Sequence, residues 1–271
     1  MGGFWSRRAR SYPEDLVPAE LPDAWRFLLA RRISWWRELS DRERARLEAL
    51  TLGFVDRLRW EPARDFTITD EMRAVVAANA CRLILGFEEE LDAGIDPFAQ
   101  VSSIILHRTT VVLQGQRGAG PDGVMADGPY ALHGQAHLRG PVVLSWSAIT
   151  NDLFHPRRGR NVVIHEFAHQ LDMIDGIVDG MPPLGDEATR ARWTEVRDRE
   201  FKALSAGRAN PLLDDYGATN HAEFFAVVTE LFFTRPVEMR QELGDLYAVL
   251  ASFLRQDPAE AQAGTANPSA P

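Results

Sequence analysis

The sequence predicts an α+β fold that is mainly helical, with a small sheet beside one chemically distinctive helix. Segments with apolar residues at helical spacing occupy most of the chain. Short β-branched runs separated by Gly- and Pro-rich stretches are confined to residues 101–146. The helix predicted at 161–172 carries the pattern H-E-x-x-H, with uncharged apolar residues at 162–164, 167–168 and 171. These three observations predict helices packed around a small sheet and a metal site.

Length and composition are those of an ordinary globular protein. The chain has 271 residues, of which 45% are hydrophobic and 25% are charged. It contains no apolar run close to the ~18 residues that a membrane span requires. We expect one domain over residues 21–256, preceded by a flexible segment at 1–20. The tail at 257–271 is rich in Ala, Pro, Gly and Ser, and is predicted to be disordered.

Charge and cysteine content restrict the partners and the compartment. The formal net charge of -9 disfavours a nucleic-acid or anionic-membrane surface, because either would need an excess of Lys and Arg. The sequence has one cysteine, Cys81, so it cannot form an intrachain disulfide. No apolar signal-peptide region follows Arg7 and Arg8. We therefore expect a cytoplasmic protein with no direct nucleic-acid partner and no membrane partner.

The first third of the chain is predicted to be helical scaffold. Residues 21–60 alternate apolar and charged positions at helical spacing, which predicts two helices. Ser40 and Glu43 form a capping box pattern ahead of the second helix. A third helix is expected at about 70–85, where apolar residues again recur at helical spacing.

The middle of the chain is predicted to supply the sheet. Strands are expected at 103–106, 109–113 and 141–146, which are short and rich in β-branched or aliphatic residues. Residues 115–128 contain five glycines and are predicted to form a loop. We expect 142–146 to lie at an edge of the sheet, where an extended peptide could pair with it.

Four helices are predicted after the sheet, at 161–172, 187–204, 221–233 and 237–254. The first carries His165 and His169, whose spacing of four residues places both imidazoles on one face. Neutral imidazole is a good zinc ligand, and a catalytic zinc has three protein ligands and one open position. Glu166 is the predicted general base, taking a proton from water at that position. Two buried histidines without a metal are the alternative.

Glu223 is the predicted third ligand. It lies in the apolar helix at 221–233, where an unpaired buried carboxylate would be costly. Glu230 lies seven residues later on the same face and is predicted to accept the free N–H of a ligand histidine. His221 and Glu230 remain the alternatives for the third ligand.

Three further residues are candidates for supporting roles. Tyr216 precedes the helix at 221–233, and its phenol could donate a hydrogen bond to an oxyanion or could only pack. Asp172 and Asp175 follow the second histidine. Each could orient a ligand imidazole or only end the helix.

Beyond these single positions, the sequence resembles the Mlc titration factor A (MtfA) family of metallopeptidases. The resemblance is carried by residues 165–176, 179–182, 216–227 and 230–233, and more loosely by 69–72, 80–81 and 143–146. It implies a zincin-like metallopeptidase fold over roughly residues 20–255. It also implies the following site: zinc ligands His165, His169 and Glu223, base Glu166, and oxyanion donor Tyr216.

The family is similar in turn to the catalytic domain of anthrax lethal factor, which carries H-E-F-x-H and a tyrosine seven residues before its later glutamate. In that toxin a second carboxylate follows the ligand glutamate by four residues, where this chain has Val227. Glu230 or an aspartate near residue 172 would then take over its role.

The resemblance implies one zinc ion per chain and aminopeptidase-like hydrolysis of a peptide or protein substrate. It also implies a cytoplasmic location and binding of a transcriptional repressor of the Mlc type. The alternative function is a regulatory protein-binding module in which zinc is mainly structural. A structural zinc site is normally closed by four protein ligands, often cysteines. This chain has one cysteine, and a glutamate follows the first histidine, so the peptidase is favoured.

Overall fold

The computed structural model describes residues 20–109, 111–113, 130–132, 134–135, 140–208 and 210–266. These ranges contain eleven α-helices: α1 (Asp23–Arg32), α2 (Asp41–Arg57), α3 (Asp70–Ile84), α4 (Glu88–Asp92), α5 (Trp146–Phe154), α6 (Val162–Asp172), α7 (Glu187–Ser205), α8 (His221–Thr234), α9 (Pro236–Glu242), α10 (Gly244–Leu254) and α11 (Pro258–Ala266). They contain six strands: β1 (Arg59–Pro62), β2 (Ser103–His107), β3 (Val111–Leu113), β4 (Tyr130–Leu132), β5 (Gly134–Gln135) and β6 (Val142–Ser145). The predicted loop at 115–128, and all but the last residue of the predicted flexible segment at 1–20, lie outside the described residues.

The predicted α+β class, mainly helical with a small sheet, is confirmed. The main sheet has the strand order β1-β2-β6-β5, in which β1, β2 and β6 are parallel and β5 is antiparallel to β6. Strands β3 and β4 form a separate antiparallel pair. The helix with the H-E-x-x-H pattern, α6, packs against β5 and β6 on one side and against α3 and α8 on others.

The predicted edge position of residues 142–146 is wrong. β6 pairs with β2 from Ile104↔Val142 onward, and its other side pairs with β5 through Leu144↔Gly134. Both sides of β6 are therefore occupied, and no substrate strand can pair with it while β5 is in place. The error has a simple cause: β5 is only two residues long and lacks the β-branched pattern by which strands are recognised.

Aromatic packing fixes α6 in the core. The Phe167 ring lies edge-on to Phe54 at 5.4 Å and to Phe98 at 4.9 Å between ring centroids. All three side chains are fully buried, and such pairs add about 0.5–1.5 kcal/mol each beyond the buried area. Phe167 is two residues from both His165 and His169, about 200° around the helix. The histidine face therefore points away from this aromatic cluster.

Local sequence signals account for several helix boundaries. The capping box before α2 is present: the Ser40 hydroxyl accepts from the Glu43 amide at 3.3 Å, and Glu43 accepts from the Ser40 amide at 2.8 Å. The single helix predicted at 237–254 is instead two helices, α9 and α10. They are separated at Leu243, whose ψ of 46° is not helical, and a glycine follows it.

The predicted disordered tail is wrong for residues 258–266, which form α11. The Tyr247 hydroxyl donates to Asp257 at 2.5 Å and accepts from the Ala259 amide at 3.0 Å. Ala259 is fully buried. An Ala- and Pro-rich composition resembles a disordered segment, but alanine is the strongest helix former and proline is favoured at the first helical position. Packing against α9 and the 3₁₀ turn Ser34–Glu38, together with these Tyr247 contacts, therefore orders this segment.

We expect deletion of residues 258–271 to destabilise the fold by about 1–3 kcal/mol, because it exposes the surface under α11 and removes a buried partner of Tyr247. Deletion of residues 267–271, which begins after the end of α11, is the matched control. Chemical denaturation of both truncated proteins checks the expectation. Equal free energies of unfolding for the two would contradict the docking of α11.

Among the helices of the described ranges, none combines the length and the apolar character that crossing a membrane requires.

Candidate metal centre

The start of α6 is held by its own N-cap residue and by a carboxylate from the preceding helix. The Asn161 side chain accepts hydrogen bonds from the amides of Val163 and Ile164, both at 3.2 Å. The Val162 amide donates to the Asp152 carboxylate at 3.0 Å. The first amides of a helix have no intrahelical acceptor, so these contacts satisfy them and fix where the helix begins. The histidine face of α6 is thereby held in place.

Helix α8 is capped in the same way. The Asn220 side chain accepts from the amide of Glu223 at 2.9 Å. This bond fixes the first turn of α8, which packs directly against α6. Glu223 therefore reaches the histidine face from the beginning of the neighbouring helix.

The structure brings His165, His169 and Glu223 together. Glu223 Oε2 lies 3.0 Å from His165 Nε2 and 3.4 Å from His169 Nε2. One ligand atom from each residue falls within 4.8 Å of the other two. Two imidazole nitrogens and one carboxylate oxygen form the donor set of catalytic zinc sites with an open fourth position. The residues present therefore fit a zinc ion.

The ionisation of these side chains also favours a cation between them. Burial lowers the pKa of His165, but the carboxylates of Glu230 and Glu223 outweigh it and raise that pKa well above its ordinary value. For Glu223 burial raises the pKa, but hydrogen bonds from His165 and His169 hold it far below its usual range. A positive charge, either a proton or a metal ion, is stabilised at the point where the three side chains meet.

Glu230 contacts the outer side of the His165 ring. Its Oε1 lies 2.7 Å from His165 Nδ1, and its Oε2 accepts from the Asn161 amide at 2.5 Å. A carboxylate only accepts, so Nδ1 carries the proton, and in the neutral ring the lone pair of Nε2 is left for a metal. This chain lacks the toxin's carboxylate, because it has Val227 there. Of the residues considered to replace it, Glu230 is the one that contacts the His165 ring.

The other candidates for the third ligand lie elsewhere. Glu230 is engaged on the outer side of His165, as described above. The His221 ring packs on Phe201 at 4.5 Å between centroids, and its Nε2 lies 3.9 Å from Asp198. Among the described residues, the metal-ligating cluster contains Glu223 and neither alternative.

Glu166 is buried beside the ligands. Its Oε2 has no hydrogen-bond partner among the described residues. The pKa of Glu166 is raised to about 8, mainly by burial: His165 opposes the rise, and the charges of Glu223 and Glu230 add to it. A carboxyl group with a pKa near neutrality can both take up and release a proton at physiological pH.

The two aspartates that follow His169 lie in different environments. Asp172 is buried, and its Oδ2 accepts from the Gly180 amide at 3.0 Å, while burial raises its pKa to about 6. It ties the end of α6 to the next segment, and the nearby His169 partly offsets the rise in the Asp172 pKa. Asp175 is exposed, and its side chain accepts from the Ile177 amide in a turn. It does not line the site.

A cavity of about 580 Å³ opens beside these residues. His165, Glu166 and Glu230 line it from α6 and α8. Four residues of α5 also line it: Ser147, Ala148, Asn151 and Asp152. Tyr216 also lines it, with its ring 5.9 Å from the His165 ring between centroids and 43% of the residue exposed. A substrate in this cavity would contact both the general base candidate and the phenol.

Sequence reasoning did not identify the polar residues that support α6. Asn79 of α3 accepts from the Asn161 side chain at 2.8 Å and donates to the Val75 carbonyl at 2.8 Å. A polar residue in the otherwise apolar run 74–81 of α3 was a usable signal for a buried hydrogen bond. Asp152 gave no such signal, because it acts on the Val162 amide across ten residues.

Comparison with known proteins identifies the family of the chain. The model of the family described as glucose-regulated metallo-peptidase M90 matches residues 4–255. An uncharacterized protein of Synechocystis sp. is 35% identical over 250 residues, which cover 90% of this chain and 88% of the relative. Mlc titration factor A of Edwardsiella ictaluri is 30% identical over 91% of this chain and 93% of its own length. The protein of the same name from Pectobacterium atrosepticum is 29% identical over 81% of this chain and 82% of its own length. The chain therefore belongs to the Mlc titration factor A family of M90 metallopeptidases.

Proposed function

We propose that this chain is a zinc-dependent peptidase in which His165, His169 and Glu223 hold one zinc ion. One observation carries the proposal: two imidazole nitrogens and a carboxylate oxygen converge within 4.8 Å beside a cavity. The buried carboxyl group of Glu166 lines the same cavity. A structural zinc site would normally have a fourth protein ligand and no adjacent cavity. The arrangement therefore favours a peptidase over a binding module with structural zinc.

The chemistry divides among the side chains as follows. Zinc, when bound, polarises a carbonyl group and lowers the pKa of water. Glu166 accepts the proton of the attacking water and returns it to the leaving amine. Glu230 holds the His165 ring in one orientation through its Nδ1. Tyr216 donates a hydrogen bond to the oxyanion that develops on the substrate carbonyl.

We further propose aminopeptidase-like activity on peptides or proteins in the cytoplasm. Aminoacyl p-nitroanilides test this specificity, with the same compounds N-acetylated as matched controls. An aminopeptidase requires the free amino group, so only the unacetylated compounds should be cleaved. Equal cleavage of both sets would rule out recognition of the amino terminus. Cleavage of neither set would contradict the proposed specificity, and so would cleavage of internal peptide bonds alone.

Binding to a transcriptional repressor of the Mlc type is a separate proposal, and it rests on the name of the relatives, Mlc titration factor A. Isothermal titration of this chain with an Mlc-type repressor from the same genome tests it. Binding by both the wild-type chain and Glu166→Gln would support a role that is independent of peptide hydrolysis. No heat of binding at micromolar concentrations would contradict it.

We expect Tyr216→Phe to bind zinc normally and to lower kcat about a hundredfold or more, with a smaller change in KM. The oxyanion carries little charge before the transition state, so its donor acts mainly on kcat. Loss of one such donor costs roughly 3 kcal/mol of transition-state stabilisation. Steady-state kinetics at full zinc occupancy measure the effect.

Tyr247→Phe provides the matched control, because it removes a phenol oxygen that bonds to Asp257 and Ala259 and does not line the cavity. This control should lose stability and keep its kcat. A wild-type kcat for Tyr216→Phe would mean that Tyr216 only packs beside His165.

A further inference from the structure

An ion pair joins two segments at the rim of the cavity. Arg160 donates to Asp214 Oδ2 from Nε at 2.8 Å, and its Nη2 donates to the same oxygen. The other oxygen of Asp214, Oδ1, accepts from the backbone amide of Tyr216 at 3.0 Å. One carboxylate therefore links the guanidinium to the backbone of the tyrosine.

The two segments are held by different contacts. Arg160 directly precedes Asn161, the cap of the metal-binding helix, which is fixed by the contacts described above. Asp214 caps the short 3₁₀ helix Asp215–Ala218, which carries Tyr216. Within this turn, the Gly217 amide donates to the Asp214 carbonyl and Thr219 donates to the Tyr216 carbonyl, and the turn packs against α7 and α8. The ion pair adds a direct link between this turn and the capped start of α6.

The ion pair is too exposed to matter much for global stability. The Arg160 side chain is 63% exposed and that of Asp214 is 29% exposed. Exposed pairs of this kind add little to the free energy of folding. Its effect is instead expected to be local, because Arg160, Asp214 and Tyr216 all line the same cavity.

We propose that Arg160 and Asp214 form a clasp that positions the Tyr216 phenol over the reacting carbonyl. The proposal rests on the proposed function of Tyr216 as oxyanion donor. A donor must be held close to its productive position to act in the transition state, and a displacement of about 1 Å can lower a rate severely. Arg160 and Asp214 are positioning residues in this account, since neither needs to touch the substrate.

Two other roles for Arg160 make different predictions. A direct contact between its guanidinium and a substrate carboxylate would change KM more than kcat. An effect of its charge on Glu230, which lies within electrostatic range, would change zinc affinity through His165. The clasp predicts a lower kcat with KM and zinc affinity nearly unchanged.

Hydrogen–deuterium exchange tests the clasp without any catalytic assay. We expect Arg160→Gln to increase exchange in the peptide that contains residues 214–219, in both zinc-loaded and zinc-free protein. Arg157→Gln is the matched control, because it makes the same charge change three residues away and Arg157 does not line the cavity. Exchange in 214–219 that is equal in Arg160→Gln and Arg157→Gln would overturn the proposal.

A double-mutant cycle tests the link to catalysis, with the aminoacyl p-nitroanilide that the wild-type chain cleaves fastest as the probe. We expect Arg160→Gln to lower kcat about tenfold. Asp214→Asn keeps an acceptor for the Tyr216 amide but loses the ion pair, so it should have a similar effect. In the Tyr216→Phe background, Arg160→Gln should cause no further loss, because the group that it positions has gone.

The outcomes separate the two proposals. Equal tenfold losses in the presence and absence of the Tyr216 hydroxyl would overturn the clasp and leave the oxyanion donor intact. An unchanged kcat in Tyr216→Phe would remove the role of the phenol itself, and with it the catalytic purpose of the clasp. In that case the exchange measurement would still report whether the ion pair orders the turn.

Discussion

Glu166→Gln should lower the peptidase kcat by about 10²–10⁴-fold while the protein keeps its zinc. The amide has nearly the shape of the carboxylate but cannot accept the proton of the attacking water. Glu166 is not among the three residues whose ligand atoms converge, so metal affinity should survive. Kinetics and elemental analysis of the same preparation measure both quantities. Glu187→Gln, on the exposed first turn of α7, is the matched control.

A kcat near the wild-type value in zinc-loaded Glu166→Gln would place the general base elsewhere. Loss of both zinc and activity would instead show that Glu166 is needed to hold the metal. Only the loss of kcat with zinc retained agrees with the proposed role.

The same variant should change how stability depends on pH. Burial raises the pKa of Glu166 to about 8 in the zinc-free fold, against an ordinary value of 4.5. Between these values the folded chain keeps a proton that the unfolded chain has lost, so stability falls as pH rises, by at most about 1.4 kcal/mol per pH unit. The glutamine in Glu166→Gln does not titrate, so the variant does not show this fall in stability with rising pH. Its free energy of unfolding relative to wild type should therefore increase between about pH 5 and about pH 8.

Glu223→Ala should reduce zinc affinity by more than about a hundredfold and abolish measurable peptide hydrolysis. Removing a residue that only supports a ligand costs about 10–100-fold in affinity, and a direct ligand should cost more. Competition with a chelator measures the affinity. His221→Ala is the informative comparison, because that residue was the competing candidate in the same helix and lies against Phe201. Zinc loss in His221→Ala with retention in Glu223→Ala would reverse the assignment.

The parts of the fold that sequence predicted well are those with local causes. The Ser40 and Glu43 capping box marks the start of α2, and apolar spacing locates α3 and α7. The sheet edge was not predictable, because β5 has only two residues and gains its structure from pairing with β6. The helix α11 was missed for a related reason, since Tyr247 orders it from a different helix.

The same distinction between local and long-range causes holds for the candidate site. The spacing of His165 and His169 on one helix predicts that they share a face, whereas their approach to Glu223 spans 58 residues of sequence from His165. The cost of burying a carboxylate in an apolar helix still indicated Glu223 as the candidate ligand, and the structure places it beside both histidines. The contact between Asn79 and Asn161 spans 82 residues, and no local pattern at either position indicates its partner.

The zinc content of the wild-type chain tests the central claim most directly. Purified protein is loaded with zinc, dialysed to remove excess metal, and analysed for metal and protein in the same sample. The account predicts about one zinc per chain, held by His165, His169 and Glu223. A protein that is folded and still retains no zinc after this treatment would contradict it.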